Sequence, residues 1–530
     1  METFNLLAPN HVCAAIGTRI NRSRLNKNLS QQQLADMTGA SLSSIRRLET
    51  SGQSSFELVV RVSQALHMAD AWESLFVAPV ESIADAERAA RGHARKRARV
   101  VSTLPARKKM KKLHVFYQGY GQHWLLGTLA DTERGTILFE YAPEAIARGL
   151  QLSPLNHPLP RPGANVAAFR GDAAFYGLPG FIADALPDGW GLLLMDRALR
   201  LRGRDPRGVS VLDRLAMIGD RAMGALSFMP ADDDASVAEV LELKALADEV
   251  AALQASTNSG AQLRHLMQLG GSPQGARPKV LVDFNARTGK LASGMALAGR
   301  ATPWLIKFPG TGEHREVCAI EALYARLARA GGIEIPAHRF FNLGSKHSAF
   351  GVERFDRVVR DKIIYRAPIM SLSALLEADH RLPSLDYETL LLATQRLTGD
   401  TREVLKAFER CVFNVIFHNR DDHARNFAFR LDEQGLWKLS PAFDLTYSDG
   451  PRGEHATSVA GRGAEITWAD LLRVAKAGGV KVKAADACIA QWCAVAKTME
   501  KEARDLPIRA ATLRELTRSV SDSVGRLERV

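Results

Sequence analysis

The sequence has few cysteines, few aromatic residues and no long apolar run. Its 530 residues include five cysteines without a Cys-x-x-Cys pair, and aromatic residues make up 7%. Such scattered cysteines argue against a disulfide framework and a zinc site, and they indicate a reducing compartment. No uninterrupted run of about 18 apolar residues occurs, so we expect no membrane span. The N-terminus lacks the features of a signal peptide, which favours a cytoplasmic protein.

The length and composition predict a globular protein of several units. The chain is too long for one ordinary core, and 46% hydrophobic with 24% charged residues is typical of a globular protein. We expect a helical head (1–80), a basic linker (81–112), an α/β lobe (113–357) and a mainly α-helical lobe (358–530). These bounds predict a multidomain protein with a small helical head and a larger body.

Positive charge is concentrated in the linker. The net charge is +12, and residues 88–112 contain eleven Lys or Arg and no Asp or Glu, so the rest of the chain carries +1. Such a run is either a solvated tether or, beside a DNA-binding domain, a segment that contacts phosphates. We hypothesise that the linker is also a control point between head and body.

The head contains the pattern of a helix-turn-helix. Ser30 is a plausible N-cap for one helix, Gly39 permits the tight turn, and Ser41 can cap a second helix. The amphipathic segment that precedes these helices predicts Ile20 and Leu25 on its buried side. A helical domain with a basic face that docks to protein is the alternative to DNA binding.

The residues with the clearest chemical pattern lie at 418–448. Asp421 and Asn426 are five apart after Arg420, and Asp444 follows a short hairpin pattern. Phosphoryl transfer uses such a set: one carboxylate orients the acceptor hydroxyl, while an amide oxygen and a second carboxylate hold Mg²⁺. Alternatively, these polar side chains merely cap turns.

Two upstream features fit the same chemistry. Lys307 lies within the apolar strand pattern WLIKF, where ATP phosphate would be an anionic partner and Glu321 on the next helix an ion-pair partner. A lysine at a sheet edge is the alternative. The loop GGSPQGARPK (270–279) has glycines that permit close approach to phosphates, although an ordinary flexible loop shares this composition.

Six ordered motifs resemble those of the HipA-type serine/threonine kinases, the toxins of HipBA toxin–antitoxin modules. The motifs, within roughly 112–480, are ADALPDGWGLLL, SPQGARPK, the strand with Lys307, VERFDR, NRDDHARN and SPAFDL. The resemblance implies a kinase with an α/β N-terminal lobe and a mainly α-helical C-terminal lobe that uses ATP and Mg²⁺. Its implied substrates are proteins, notably an aminoacyl-tRNA synthetase.

The resemblance implies a role for each matching residue. Asp421 is then the catalytic base, and Asn426 and Asp444 bind Mg²⁺. The set that binds ATP comprises Lys307, Glu321, Glu353 and Phe355, and Ser272 is the autophosphorylated serine. Asp422 departs from the family pattern, and we expect it to add a charge beside the catalytic carboxylate.

The head resembles the Cro/C1-type (Xre) helix-turn-helix family, which includes the HipB antitoxins. This resemblance implies a homodimer that binds operator DNA and is nucleoid-associated when bound. The helix from Ser41 would enter the major groove. The implied DNA-contacting residues are Gln31, Ser41, Ser43, Arg46 and Arg47.

These observations favour a fused antitoxin–toxin, a kinase that carries its own autoregulatory DNA-binding head. A repressor whose kinase-like body is an inactive scaffold is the first alternative. A small-molecule phosphotransferase is the second, because such enzymes also use an Asp-x-x-x-x-Asn loop.

Overall fold

The chain folds into two compact units, residues 1–80 and 81–530. The structure is a computed structural model, and it describes residues 9–69, 72, 82–84, 110–132, 136–161, 168–231, 239–270, 273–293, 301–379, 381–382 and 385–528. Ser272 and linker residues 85–109 therefore lie outside the described residues.

The described part of the first unit is helical, as predicted. Its described helices are α1 (Pro9–Asn26), α2 (Gln31–Thr38), α3 (Leu42–Ser51) and α4 (Phe56–Ala65). Ser30 caps α2 in a capping box, and Ser41 caps α3 by accepting from the Ser44 N–H. Gly39 ends α2 in the left-handed region at φ +64°, where an L side chain is disfavoured. These signals are local in sequence, which is why the helix-turn-helix of α2 and α3 was predictable.

The head also contains a buried ion pair that the periodicity did not predict. Ile20 is buried as expected, but Leu25 is 56% exposed, and Arg24 is buried in its place. Arg24 donates from Nε and Nη2 to Glu49 at 2.6 and 2.8 Å. Burial acts to raise the pKa of Glu49, but hydrogen bonds from Arg24, Gln31 and Asn21 hold that pKa below its ordinary value. The prediction for Leu25 is wrong because this pairing turns Arg24 inward.

The described residues of the second unit form four antiparallel sheets. Strand order is β3-β2-β1-β4 in the first, β5-β7-β6-β8-β10-β9 in the second, β11-β12 in the third and β13-β14-β15 in the fourth. The strands are β1 (Lys111–Tyr117), β2 (Trp124–Asp131), β3 (Ile137–Tyr141), β4 (Leu226–Met229), β5 (Glu239–Leu241), β6 (Lys279–Asn285), β7 (Lys290–Ser293), β8 (Thr302–Lys307), β9 (His338–Asn342), β10 (Ser348–Glu353), β11 (Arg357–Arg360), β12 (Ile363–Arg366), β13 (Ile369–Ser371), β14 (Ala428–Leu431) and β15 (Trp437–Leu439).

Helices pack on these sheets and dominate after residue 370. The α-helices of the second unit whose bounds the structure describes are α5 (Pro143–Arg148), α6 (Gly180–Ala183), α7 (Gly189–Leu201), α8 (Val211–Ile218), α9 (Leu243–Gln254), α10 (Gly260–Gly270), α11 (Val317–Ala330), α12 (Leu372–Leu376), α13 (Tyr387–Thr398), α14 (Thr401–Ile416), α15 (Trp468–Ala477), α16 (Val482–Ala496), α17 (Met499–Glu502) and α18 (Ala510–Leu527). The predicted sequence of a helical head, mixed α/β structure and a mainly helical end is confirmed.

Two large hydrophobic cores organise the described residues of the second unit. One lies under the six-stranded sheet, where Val280, Phe284 and Ile306 pack against α9 and α10. The larger core joins the first sheet to the C-terminal helices, so that Val115 and Phe228 belong to the same cluster as Phe413. The predicted lobe boundary at 357/358 falls within β11 and stays a prediction.

Two local features fix the positions of polar residues in the second unit. Helix α14 is buried along most of its length, so the turn that follows it is held firmly in place. Antiparallel pairing of β6 with β8 sets Lys279 opposite Lys307. In the described residues, no helix is long and apolar enough to cross a membrane.

We predict that Glu49→Gln destabilises the head by about 3 kcal/mol, because it leaves Arg24 buried without its anionic partner. Hydrogen exchange of the α1–α3 amides in the full chain would measure this as a lower opening free energy. The exposed pair of Glu57 and Arg61 supplies the control. Glu57→Gln is expected to change that free energy by less than about 0.5 kcal/mol, and an equal effect of both substitutions would contradict the prediction.

Candidate active site

A cavity of about 710 Å³ lies in the second unit and gathers the predicted chemistry. Its volume is in the ordinary range for small-molecule sites. The lining includes Lys307, Glu321, Glu353, Phe355, Asp421, Asn426 and Asp444. All seven residues predicted for catalysis, ATP and metal therefore face one cavity, although they are spread over more than 130 positions of the sequence.

Lys307 is buried between two carboxylates. Its Nζ donates to Glu321 Oε1 and to Asp444 Oδ1, both at 2.6 Å. The side chains of Lys307 and Glu321 are 9% and 3% exposed, so this lysine is not a solvated residue at a sheet edge. Burial acts to lower the pKa of Lys307, but the charges of Asp444 and Glu321 raise it above its ordinary value. The ammonium is therefore held charged and aimed into the cavity.

Two further cations line the cavity beside it. Burial, and then the charge of Lys307, lowers the pKa of Lys279 to about 8. Arg277 contacts Glu313 at 2.9 Å and Glu321 at 3.7 Å. Together with Lys307 they form a positive wall suited to a polyphosphate.

Neither Lys279 nor Arg277 was singled out by the sequence reasoning, although both stand in the motif SPQGARPK. For Lys279, the sequence did contain a pattern that indicates a functional lysine. Like Lys307, it is a lysine at one end of an apolar strand.

The Asp421 loop (residues 418–426) follows α14 and carries two of the predicted residues. Asp421 is largely exposed, with 62% of its side chain accessible, and its carboxylate lies 3.8 Å from the His423 imidazole. Asn426 donates from Nδ2 to the Asp421 backbone carbonyl at 2.6 Å. Partial desolvation, and then the charges of Asp444 and Asp422, raise the pKa of Asp421. Because its side chain is exposed, the Asp421 carboxylate is accessible to a molecule that enters the cavity.

Asp422 adds its charge beside Asp421, as we expected, but its own side chain lies in the interior. Its carboxylate is fully buried and accepts from the Tyr387 hydroxyl at 2.6 Å and the Ala456 N–H at 2.9 Å. The His455 ring and the Thr457 N–H complete its hydrogen bonds. Asp422 therefore anchors the Asp421 loop to α13 and to residues 455–457, which leaves its neighbour free to face the cavity.

Asp444 follows the β14-β15 hairpin and has a left-handed backbone at φ +56°. Non-glycine residues in this region are uncommon, and here the conformation turns the side chain toward Lys307. Burial acts to raise the pKa of Asp444, but the charges of Lys307 and Lys279 hold it below the ordinary value. The carboxylate therefore remains an anionic oxygen donor.

The donors predicted for a metal ion are the carboxylate of Asp444 and the side-chain amide of Asn426. Within the described part of the chain, no cluster of three or more Asp, Glu, His or Cys side chains could hold a metal ion. Mg²⁺ requires only one or two carboxylates when phosphates and water supply its other ligands. Asp444 and the amide oxygen of Asn426 fit that requirement, since Asn426 uses its Nδ2 to donate elsewhere.

Glu353 and Phe355 lie at the end of β10, at the edge of the cavity. The Glu353 N–H donates to the Ala337 carbonyl at 2.7 Å, and the Phe355 carbonyl accepts from Arg430 at 3.1 Å. An adenine contact would therefore use the other groups of this pair, the Glu353 carbonyl and the Phe355 N–H. Ser272 lies outside the described residues, so its predicted modification stays a prediction.

The head presents its predicted DNA-contacting residues on α3 and the start of α2. Ser41, Ser43, Arg46 and Arg47 are exposed. Gln31 is partly buried, because its Nε2 donates to Glu49 at 2.8 Å while its Oε1 accepts from Arg46 at 3.4 Å. Gln31 therefore links the buried ion pair to an exposed arginine.

A helix-turn-helix head and a kinase-like body with a lysine–carboxylate cleft define the class of this protein. Residues 20–70 match the family model described as helix-turn-helix. Residues 113–229 match the HipA N-terminal domain, and residues 271–500 match the HipA-like C-terminal domain. The chain thus carries both HipA domains behind a helix-turn-helix domain, and the resemblance predicted from the motifs is confirmed.

Similar proteins support the same assignment. Two proteins of Sinorhizobium fredii whose names describe kinases, Y4mE and Y4dM, are 27% and 25% identical over 48% and 60% of this chain. The matches span 63% of Y4mE, which is less than two thirds of its length, and 74% of Y4dM.

A solved structure of the Shewanella oneidensis MR-1 toxin–antitoxin system HipA, HipB and its operator DNA gives a TM-score of 0.59. That match covers 78% of this chain and 97% of the other, at 17% identity. At this identity the likeness shows a shared fold.

We predict that substitutions of the two adjacent aspartates differ greatly in their effect on stability. Asp422→Asn should destabilise the second unit by about 2 kcal/mol, because it removes a buried acceptor on which four groups converge. Asp421→Asn should change stability by less than about 0.5 kcal/mol, because that side chain is exposed. Urea unfolding of the full-length variants measures both changes, and a larger loss for Asp421→Asn would reverse the assignment.

Proposed function

We propose that the protein is a Mg²⁺- and ATP-dependent serine/threonine protein kinase with an autoregulatory DNA-binding head. The observation that carries the proposal is the buried pair of Lys307 and Glu321, with Asp444 bonded to the same ammonium, in one cavity with the exposed carboxylate of Asp421. A charged lysine opposite an accessible carboxylate is the arrangement that phosphoryl transfer needs.

Each residue has a role in this proposal. Lys307 donates hydrogen bonds to ATP phosphates, and Glu321 orients its ammonium. Glu353 and Phe355 contact adenine through their backbone groups. Asn426 and Asp444 hold Mg²⁺, which neutralises charge on the phosphates when it is bound.

Asp421 acts on the acceptor. It orients the serine or threonine hydroxyl and accepts its proton as the new O–P bond to the γ-phosphorus forms. The bond from that phosphorus to the β–γ bridging oxygen breaks, and ADP leaves. The raised pKa of Asp421 suits a group that receives a proton in this step.

The acceptors in this proposal are proteins. We propose a translation factor such as an aminoacyl-tRNA synthetase as the main substrate, and Ser272 as the autophosphorylated residue. The head binds operator DNA as part of a homodimer. The protein is then cytoplasmic and nucleoid-associated when bound to DNA, with the linker as the control point.

We predict that purified protein incubated with Mg²⁺ and ATP acquires phosphate, with Ser272 as the expected site, and that Asp421→Asn lowers the rate at least about 10²-fold. Phosphopeptide mass spectrometry measures both. Asp522→Asn, an exposed carboxylate on α18, serves as the control and should leave the rate unchanged.

The two failures of this experiment have different meanings. Phosphate incorporated equally by wild type and Asp421→Asn would contradict the role of Asp421. A wild-type protein that neither incorporates phosphate nor binds ATP would contradict the kinase proposal, and would favour a repressor with an inactive kinase-like body.

For the head, we predict that Arg46→Ala weakens binding to DNA from upstream of the protein's own coding sequence about 10- to 100-fold. Arg46 is exposed on α3, and arginine is well suited to guanine edges. Fluorescence anisotropy at one fixed salt concentration measures the affinity. Arg61→Ala, on α4, should change it much less, and equal losses would contradict a recognition role for α3.

A further inference from the structure

Asp188 occupies the N-cap position of α7 but does not cap that helix. Its backbone is extended, with φ −119° and ψ −173°, and its side chain makes no capping hydrogen bond to α7. Aspartate at an N-cap normally accepts from the second or third N–H of its own helix. The Asp188 carboxylate is therefore available to accept hydrogen bonds from other segments.

The two oxygens of Asp188 contact two different parts of the site. Oδ1 accepts from the backbone N–H of Gly275, which lies in the glycine-containing segment before β6, here called the Gly275 loop (residues 273–278). Oδ2 accepts from Nη1 of Arg425 in the Asp421 loop. These partners are 87 and 237 positions away in sequence.

The start of α7 also fits closely against the Gly275 loop. The Trp190 N–H donates to the Gly275 carbonyl at 3.1 Å, and its indole N–H donates to the Lys279 carbonyl at 3.1 Å. A Cβ at Gly189 would lie 2.7 Å from the Ala276 Cα, so this approach requires glycine. The helix therefore acts as a rigid base for the loop.

Arg425 extends this link to the proposed metal site. It lies between Asp421 and Asn426, in a short 3₁₀ turn (Ala424–Asn426), and its side chain is 12% exposed. Asp188 forms an ion pair with this guanidinium, and its side chain is 33% exposed. One carboxylate thus joins the Gly275 loop to the turn that carries Asn426.

We propose that Asp188 is a positioning residue that sets the Gly275 loop in register with the Asp421 loop. This inference rests on the proposed kinase function and adds to it a residue that acts through the two loops it joins. The two loops lie far apart in the sequence, yet both line the cavity that would hold the nucleotide. One carboxylate holds both loops in place. A misplacement of about 1 Å in such a site costs about 10²-fold in rate.

The test compares Asp188→Asn, Arg425→Gln and the double variant in the full-length protein. Transfer of phosphate from ATP to myelin basic protein gives a maximal rate and a half-saturating ATP concentration. We expect each single variant to lower the maximal rate about 10²-fold, with a change of less than about threefold in half-saturation. The double variant should be no worse than either single one, because both remove the same link.

Amide exchange of the Gly275 loop supplies a second measurement that does not depend on activity. In Asp188→Asn, amides of this loop should exchange at least about tenfold faster. Asp400 is a matched control, because it accepts from both the backbone and the guanidinium of Arg402 at the start of α14 and is 31% exposed. Asp400→Asn should change neither the loop exchange nor the transfer rate.

Two outcomes would overturn the inference: loop exchange that is unchanged in Asp188→Asn, or multiplicative losses in the double variant. A wild-type protein that neither transfers phosphate nor binds ATP would contradict the proposed function instead. In that case the exchange measurement still decides whether Asp188 holds the loop.

Discussion

A buried ammonium group imposes the strongest constraint on the body of this protein. Removing the Lys307 charge from water is costly, and Glu321 and Asp444 offset that cost at 2.6 Å each. These partners come from α11 and from the segment after β15, so the lysine brings a helix, a sheet and a loop to one point. A cavity with a charged wall follows directly from this pairing.

The same separation of buried and exposed charge organises the Asp421 loop. Two adjacent carboxylates have opposite environments, because Asp422 is enclosed by hydrogen-bond donors while Asp421 faces the cavity. The buried residue supplies rigidity, and the exposed one remains accessible for chemistry. In the head, Glu49 plays a comparable part, since it anchors Arg24 and Gln31 beneath the exposed face of α3.

Much of the fold was predictable because its signals are local. Ser30, Gly39 and Ser41 mark helix ends through their own side chains or backbone freedom, and apolar periodicity marks the strands of the six-stranded sheet. Leu25 was predicted wrongly because periodicity carries no information about a partner such as Glu49, which lies on another helix. The predicted roles of the site residues rest on motif order, and the structure adds that these residues share one cavity.

The sequence by itself determined the order of the units, the helix-turn-helix and the HipA motifs, since each is written in neighbouring residues. Only the tertiary structure decided which of two adjacent aspartates is buried. It also decided that Lys279 lies opposite Lys307 and that Asp188 links two distant loops. The physical reason is that burial and pairing depend on which segments meet in space, and these contacts join residues up to 237 positions apart.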